Sequence, residues 1–291
     1  MIVDEVQKAP KLLPEIKRVL DSDNTKGQYL LTGSADIKTL PAVTESLAGR
    51  MGTIRLRPLA RGEIDGKSPT FFKRAFAEDF PATVKGFDKA AILEFAFDGG
   101  YPEALGLRPR AKRQLTSALQ IKHETFVRFL AILKTLYLID EIPPWQDSDY
   151  ADVGKRSKFI AADTGMMASV LNWNIDEVSL DSDRSGKIVE SWVYNQIAPQ
   201  LDIHPDYSIS QYRDSRKREI DFVVESDDEC ILGIEVKSGS AIGKEDFAHL
   251  AWFRDNIVKQ RRFIGIVLYT GEHTLPFGKS LYAVPMGTLC T

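Results

Sequence analysis

The chain has 291 residues, 43% hydrophobic and 27% charged, with a net charge of −3. That is the composition of a globular protein with room for two domains and a sizeable core. It excludes a global basic field for nucleic acid, and two cysteines, Cys230 and Cys290, exclude a disulfide framework. No apolar run reaches membrane length and no secretory leader pattern is seen, so the reading is of a cytoplasmic chain with no membrane partner. The four histidines, His123, His204, His249 and His273, show no ligand spacing, so no zinc site is expected.

In chain order, a short apolar strand ends at Asp4-Glu5. A helix follows with Leu12, Leu13, Ile16, Val19 and Leu20 on one side. QYLLTGSA reads as a buried strand, and a further strand is read at TIRLRPL. Gly62 to Ser68 comes near a phosphate-binding string but is one residue short between its glycines, and Pro69 stands where a helix should begin; it reads as a loop. From Ser68 to Leu107 the pattern is helical, stopped at Gly99-Gly100. Next, LQIKHETFVRFLAILKTLYLI gives a turn at IKHE, a helix through Val127, Leu130 and Leu133, and a strand at YLIDEI. An ordinary packed helix and a nucleic-acid-reading one are both open here. Arg108, Arg110, Lys112 and Arg113 form a basic patch, for nucleic acid or as a solvated face. The polar connector PPWQDSDYADVGKRSK marks a domain boundary. Asp163-Thr164-Gly165 is a helix start with Asp163 as its cap.

The stretch from Lys187 to Lys237 organises the rest. On its helix, Glu190 shares a stripe with Val193, Tyr194 and Ile197, an odd place for an acid. In EIDFVVE, alternation puts Ile220, Phe222 and Val224 on one face and Asp221 on the other. In ILGIEVK, Leu232, Ile234 and Val236 share a face, with Glu235 and Lys237 opposite. SDDE is a turn signal, so the strands form a hairpin with Asp221, Glu235 and Lys237 on one side. Carboxylates of this kind suit Mg²⁺, with Asp221 and Glu235 as the metal ligands and the Val236 carbonyl as an extra one. Such an ion activates water and stabilises charge on a phosphodiester. A lysine beside it stabilises developing charge.

These residues carry a resemblance. Ile220-Asp221 followed by Glu235-Val236-Lys237 looks like the motif of the PD-(D/E)XK nuclease-like superfamily, with Ile220 in place of proline and Glu190 as the acid of the first core helix. The resemblance implies an α-β-β-β-α-β order and a catalytic set of Glu190, Asp221, Glu235 and Lys237. The front of the chain resembles the second half of a prokaryotic AAA-type P-loop ATPase that carries a C-terminal domain of unknown function. In that resemblance Asp4 and Glu5 are the Walker B pair, and Ser34 sits at the sensor position. Arg50 is a trans-acting arginine or a helix-end cap, and both readings stand. GGYPE and the K-x-x-x-x-D-T-G string of Lys158 and Asp163 are named by the same resemblance. No G-x-x-x-x-G-K-[ST] loop lies upstream of Asp4, so the expectation is an N-terminally truncated ATPase. It would not hydrolyse ATP by itself, and ATP would be a cofactor only if a phosphate-binding loop were supplied upstream.

The expected fold class is therefore α/β. Residues 1–65 form a partial P-loop ATPase core, 66–145 a helical lid with a winged-helix remnant, and 146–291 a restriction-endonuclease-like domain. The implied function is that of an ATPase-family protein with a nuclease-like domain acting on or binding DNA with Mg²⁺. The alternative is a non-catalytic nucleic-acid or protein interaction module with a degenerate nuclease fold. Enzyme status and oligomeric state are left open.

Overall fold

A computed structural model describes residues 1–23, 25–34, 47, 49–105, 126–146, 156–259 and 261–291. Its first half holds β1 (Ile2–Val3), α1 (Leu12–Ser22), β2 (Leu30–Leu31), α2 (Arg61–Ile64), α3 (Phe71–Phe76), α4 (Lys89–Asp98), α5 (Phe126–Thr135) and β3 (Ile139–Ile142). Its second half holds β4 (Lys158–Ala161), α6 (Thr164–Val170), α7 (Ile175–Leu180), α8 (Ser182–Ile203), β5 (Tyr207–Arg213), β6 (Glu219–Ser226), β7 (Ile231–Lys237), α9 (Ala248–Phe253), β8 (Phe263–Tyr269), β9 (Leu275–Gly278) and β10 (Leu281–Pro285). The chain divides into two compact units, Met1–Arg55 with Lys122–Asp140, and Leu56–Ile121 with Glu141–Thr291. Among the described residues no helix is long and apolar enough to cross a membrane.

In the first unit, β1 runs parallel to β2. Val6, Leu13, Ile16 and Leu47 form the core, with Leu20, Tyr29 and Leu31 packed against it. Two expectations need correcting. Leu12 and Val19 lie more than a third exposed, so the buried stripe of α1 is narrower than its spacing suggests. Leu30 is 56% exposed, so QYLLTGSA is not a buried strand. Successive side chains of a strand point to opposite faces, and here Leu31 takes the core side and Leu30 the solvent side.

Thr53 to Leu59, read as a strand, joins no ladder among the described residues. The alternation there is inverted: Ile54 and Leu56 face solvent, while the neighbouring arginines turn inward. In the first unit Arg55 reaches Asp140 at 2.5 Å and stacks over the Tyr137 ring. In the second, Arg57 grips Asp202 with two nitrogens, at 2.6 and 3.2 Å. Paired Arg–carboxylate bonds of this geometry outweigh the exposure of two aliphatic side chains.

The second unit is built on a six-stranded sheet of order β5-β6-β7-β8-β10-β9. The β5–β6 and β6–β7 pairs are antiparallel, β7–β8 and β8–β10 parallel. From α8 onward the elements follow the α-β-β-β-α-β run read from the sequence. One face packs Phe222, Val224, Leu232 and Ile234 against Ile188, Trp192 and Ile197 of α8, with Phe71 and Phe72 of α3 beyond. The other face packs Ile220, Val223 and Ile231 against Phe247, Leu250 and Phe253 around α9. FIGIVLY in β8 is buried at every position, as expected of a strand covered on both faces. Each large apolar side chain fully buried here contributes about 1.5–3 kcal/mol. Gly233 pairs with Gly265 across β7 and β8. A Cβ on Gly233 would stand 2.8 Å from Leu250 and Phe263, so both strands are bare where α9 approaches.

Helix α4 stops at Gly99, whose φ of 70° suits glycine, within the GGYPE phrase. The next N–H, of Gly100, donates to Asp163 Oδ2 at 2.6 Å. Asp163 Oδ1 accepts the Met166 N–H at 2.7 Å and caps α6. The DTG string is thus a helix cap that also holds the end of α4. The basic patch at Arg108, Arg110, Lys112 and Arg113, the IKHE turn and His123 lie outside the described residues. Of the segment expected to resemble a winged helix, residues 126–142 are described, with α5 and β3.

Candidate functional site

A register fault in β6 shapes the acidic end of the sheet. Ser210 pairs with Val223 but Tyr212 with Ile220, so Asp221 and Phe222 together oppose one residue, Gln211. This is a β-bulge, an extra residue that re-aims the side chains around it. It overturns the simple alternation of EIDFVVE. Ile220 packs with Val223 on the α9 side, while Phe222 and Val224 pack on the α8 side. Asp221 is thereby brought to Lys158 and, through it, to Glu190 of α8.

The ladder between β6 and β7 ends at Phe222 and Ile234. Asp221 and Glu235 are the next residue on each strand, past its end. The Val236 N–H donates to Asp221 Oδ2 at 3.0 Å, so a side chain continues the pairing. Lys158, the first residue of β4, sends its ammonium to Asp221 Oδ1 at 3.1 Å and to Glu190 Oε1. The same ammonium stands over the Phe222 ring, with Nζ 5.4 Å from the centroid. Glu235 is nearly enclosed, and its Oε1 has no hydrogen-bond donor. His249 Nδ1 stands 3.9 Å from it and 3.1 Å from the Glu219 carbonyl oxygen. Lys237 points to Asp246 Oδ1 at 3.4 Å, and its side chain is 41% exposed.

The electrostatics follow from this crowding. Burial, and then the Asp221 charge, push the Glu190 carboxyl up to about 7 in spite of Lys158. Burial and Asp221 likewise hold Glu235 well above the ordinary carboxylate range, with Lys237 pulling the other way. For Lys158 burial opposes the charge, but Asp221 and Glu190 outweigh it and raise its pKa. Lys158 is therefore a firm cation, and the carboxylates around it are short of positive charge.

A hard divalent ion suits this donor set. Asp221 and Glu235 supply oxygens from two paired strands, and the unpartnered Glu235 Oε1 is the atom most in need of a cation. Among the described residues no three His, Cys, Asp or Glu side chains stand close enough together to cage a metal by themselves. An ion here would complete its shell with water, the habit of Mg²⁺.

In the first unit, Asp4, Glu5 and Ser34 gather after the ends of two parallel strands, where open α/β sheets bind ligands. Thr32 Oγ1 donates to Asp4, and Gln7 Nε2 to Glu5. Ser34 Oγ donates to Glu5 Oε2 at 3.4 Å. Glu5 takes a left-handed backbone, φ 51° and ψ 48°. Arg50 pairs with Asp21 of α1 at 2.6 Å.

Sequence reasoning gave Lys158 no role and set His249 aside for want of a spaced partner. Asp246 and Glu219 were missed as well. The K-x-x-x-x-D-T-G string names Lys158 but not its partners, which lie on other elements, as do those of the histidine.

Three family models match the chain: an AAA domain at residues 1–64, a domain of unknown function (DUF8612) at residues 110–177, and another (DUF4143) at residues 185–289. The matches at the two ends support an AAA-type ATPase-like family, with Asp4 and Glu5 in the first and the hairpin acids in the last. Uncharacterised proteins of Mycobacterium bovis and Mycobacterium tuberculosis are each 25% identical over 322 residues, covering 99% of this chain and 69% of their own. No solved structure matches the chain.

Proposed function

We propose that this AAA-type ATPase-like protein carries, in its C-terminal part, a PD-(D/E)XK nuclease-like site that acts on DNA with Mg²⁺. One observation carries the reading: Asp221 and Glu235 leave the end of one hairpin side by side, and Glu235 Oε1 is buried with no donor. Asp221 and Glu235 would hold the ion, and Glu190 the far side of the same acidic centre. A bound Mg²⁺ would supply water activation and charge stabilisation on a phosphodiester. Lys237, at the exposed margin, is suited to meet the DNA backbone. At the front of the chain, Asp4 and Glu5 are read as the Walker B pair, serving ATP only together with a phosphate-binding loop, a string that residues 1–291 do not contain.

The test is Mg²⁺-dependent cleavage of linear, nicked and branched DNA by the wild type and Asp221→Asn. Cutting that falls at least a hundredfold in the mutant supports the reading. No cutting of any substrate, with Mn²⁺ still bound, overturns the catalytic part. A second reading, a non-catalytic interaction module, is favoured by a specific observation. Lys158 already neutralises Glu190 and Asp221, and Lys237 is engaged with Asp246. It predicts DNA or protein binding that persists in Asp221→Asn.

A further inference from the structure

We propose that Lys158 is the resident counter-ion of the acidic centre, and that a divalent cation enters only by displacing its ammonium. This rests on the metal-centre reading above and adds a regulation to it: metal binding is an exchange of one cation for another.

The geometry points this way. The lysine that the sequence sets beside the acids, Lys237, turns to Asp246 and is 41% exposed. The ammonium within the centre comes from a separate strand. Lys158 is 20% exposed and bonds two of the three acids directly, Glu190 and Asp221. It uses Asp221 Oδ1, the oxygen that a metal would need, because Oδ2 is committed to the Val236 N–H. An ammonium and a divalent ion cannot share that oxygen. Two such cations in contact with one oxygen repel strongly at the dielectric of a partly buried site.

The exchange needs little movement. Val236 holds the Asp221 carboxylate in place, so the acid need not turn. A four-carbon stem lets Lys158 swing its ammonium away while its backbone stays in β4. The third acid, Glu235, is left with an unpartnered oxygen in the lysine-bound state. That atom gains a partner only when the ion arrives, so the exchange has a direction. Apparent affinity is lowered by the share of molecules in which Lys158 holds the oxygen, and removing the lysine removes that loss.

The experiment is calorimetric titration of the 291-residue chain with MnCl₂, together with thermal melting with and without Mn²⁺. Wild type, Lys158→Met, Asp221→Asn and the double mutant are compared. Lys158→Met is expected to bind Mn²⁺ at least tenfold more tightly than wild type and to show the larger Mn²⁺-induced rise in Tm. Asp221→Asn should abolish binding in either background. Binding through Asp221 that is equal or weaker in Lys158→Met overturns the exchange while leaving the metal centre standing. No Mn²⁺ binding by wild type or Lys158→Met overturns the metal centre itself, and the exchange with it. Should Lys158→Met fail to fold, Lys158→Gln, which keeps polarity without the charge, is read by the same criteria.

Discussion

The carboxylate of Asp221 accepts the backbone N–H of Val236 at 3.0 Å, just past the last paired residues of the β6–β7 hairpin. Where the ladder stops, a side chain supplies the missing acceptor. The same carboxylate is an anchor for Lys158. Structure and charge at this end of the sheet therefore share one residue.

Removing that residue should cost stability as well as chemistry. Asp221→Ala leaves the Val236 N–H without its acceptor and Lys158 with one carboxylate fewer. A loss of about 2–3 kcal/mol is expected. Asp221→Asn keeps an acceptor oxygen and should lose about 1 kcal/mol. Urea unfolding in EDTA measures both, and equal losses in the two mutants would count against the backbone role.

Stability should depend on pH through Glu190. Its folded pKa of about 7 lies above its ordinary 4.5, so the folded state holds the proton more tightly than the unfolded chain. The stabilising contribution is then full below about 4.5 and is lost as pH rises through about 7. Glu235, raised in the same direction, adds to the trend. Unfolding free energy in EDTA should fall from pH 5 to pH 8, with a shallower slope in Glu190→Gln. An unchanged slope in that mutant would remove Glu190 as the cause.

Much of this region was legible in the sequence. The helix from Ser182 to Ile203 shows its apolar stripe, and SDDE marks the hairpin turn between two alternating runs. Asp221 and Glu235 were therefore expected together. What could not be read was the bulge, because period-two alternation assumes one residue opposite one, and the extra residue is set by pairing with Gln211 on another strand. Lys158, named only within the K-x-x-x-x-D-T-G string, was given no place at the acidic centre for a related reason. It lies 32 residues before Glu190 and 63 before Asp221, and no pattern along the chain records a contact made in space. The Thr53–Leu59 segment misled because its local pattern says nothing of the carboxylate partners of Arg55 and Arg57, which lie far along the chain.

Asp163→Ala should test the junction of GGYPE and DTG. It removes the acceptor for Met166 at the start of α6 and for the buried Gly100 N–H. A cap is worth about 1 kcal/mol and an orphaned buried donor about 1–3, so a loss of about 3 kcal/mol is expected. Asp163→Asn should lose markedly less. Chemical denaturation decides, and a loss under 1 kcal/mol in the alanine variant would show the junction to be dispensable.

The two thiols should be silent in the folded protein. Cys230 and Cys290 are both buried, and burial pushes the Cys290 thiol up to about 12. Cys230 is raised as well, again chiefly by burial. At pH 8 neither offers an accessible thiolate. Ellman's reagent should find no fast-reacting group in the native chain and two in urea. A rapid native reaction would contradict the packing.

The facing pair Gly233 and Gly265 leaves a hollow on the α9 side of the sheet. Leu250 drops into it, so close that a Cβ on Gly233 would meet its Cδ2 at 2.8 Å and one on Gly265 its Cβ at 3.3 Å. The residue before Leu250 is His249, whose ring stands beside Glu219 and Glu235. The depth of the hollow thus sets the height of the imidazole over the acids. A methyl group added at Gly233 would act as a shim under the helix, lifting the ring away from Glu235. Control of the acidic end reaches two positions that have no side chain to offer it.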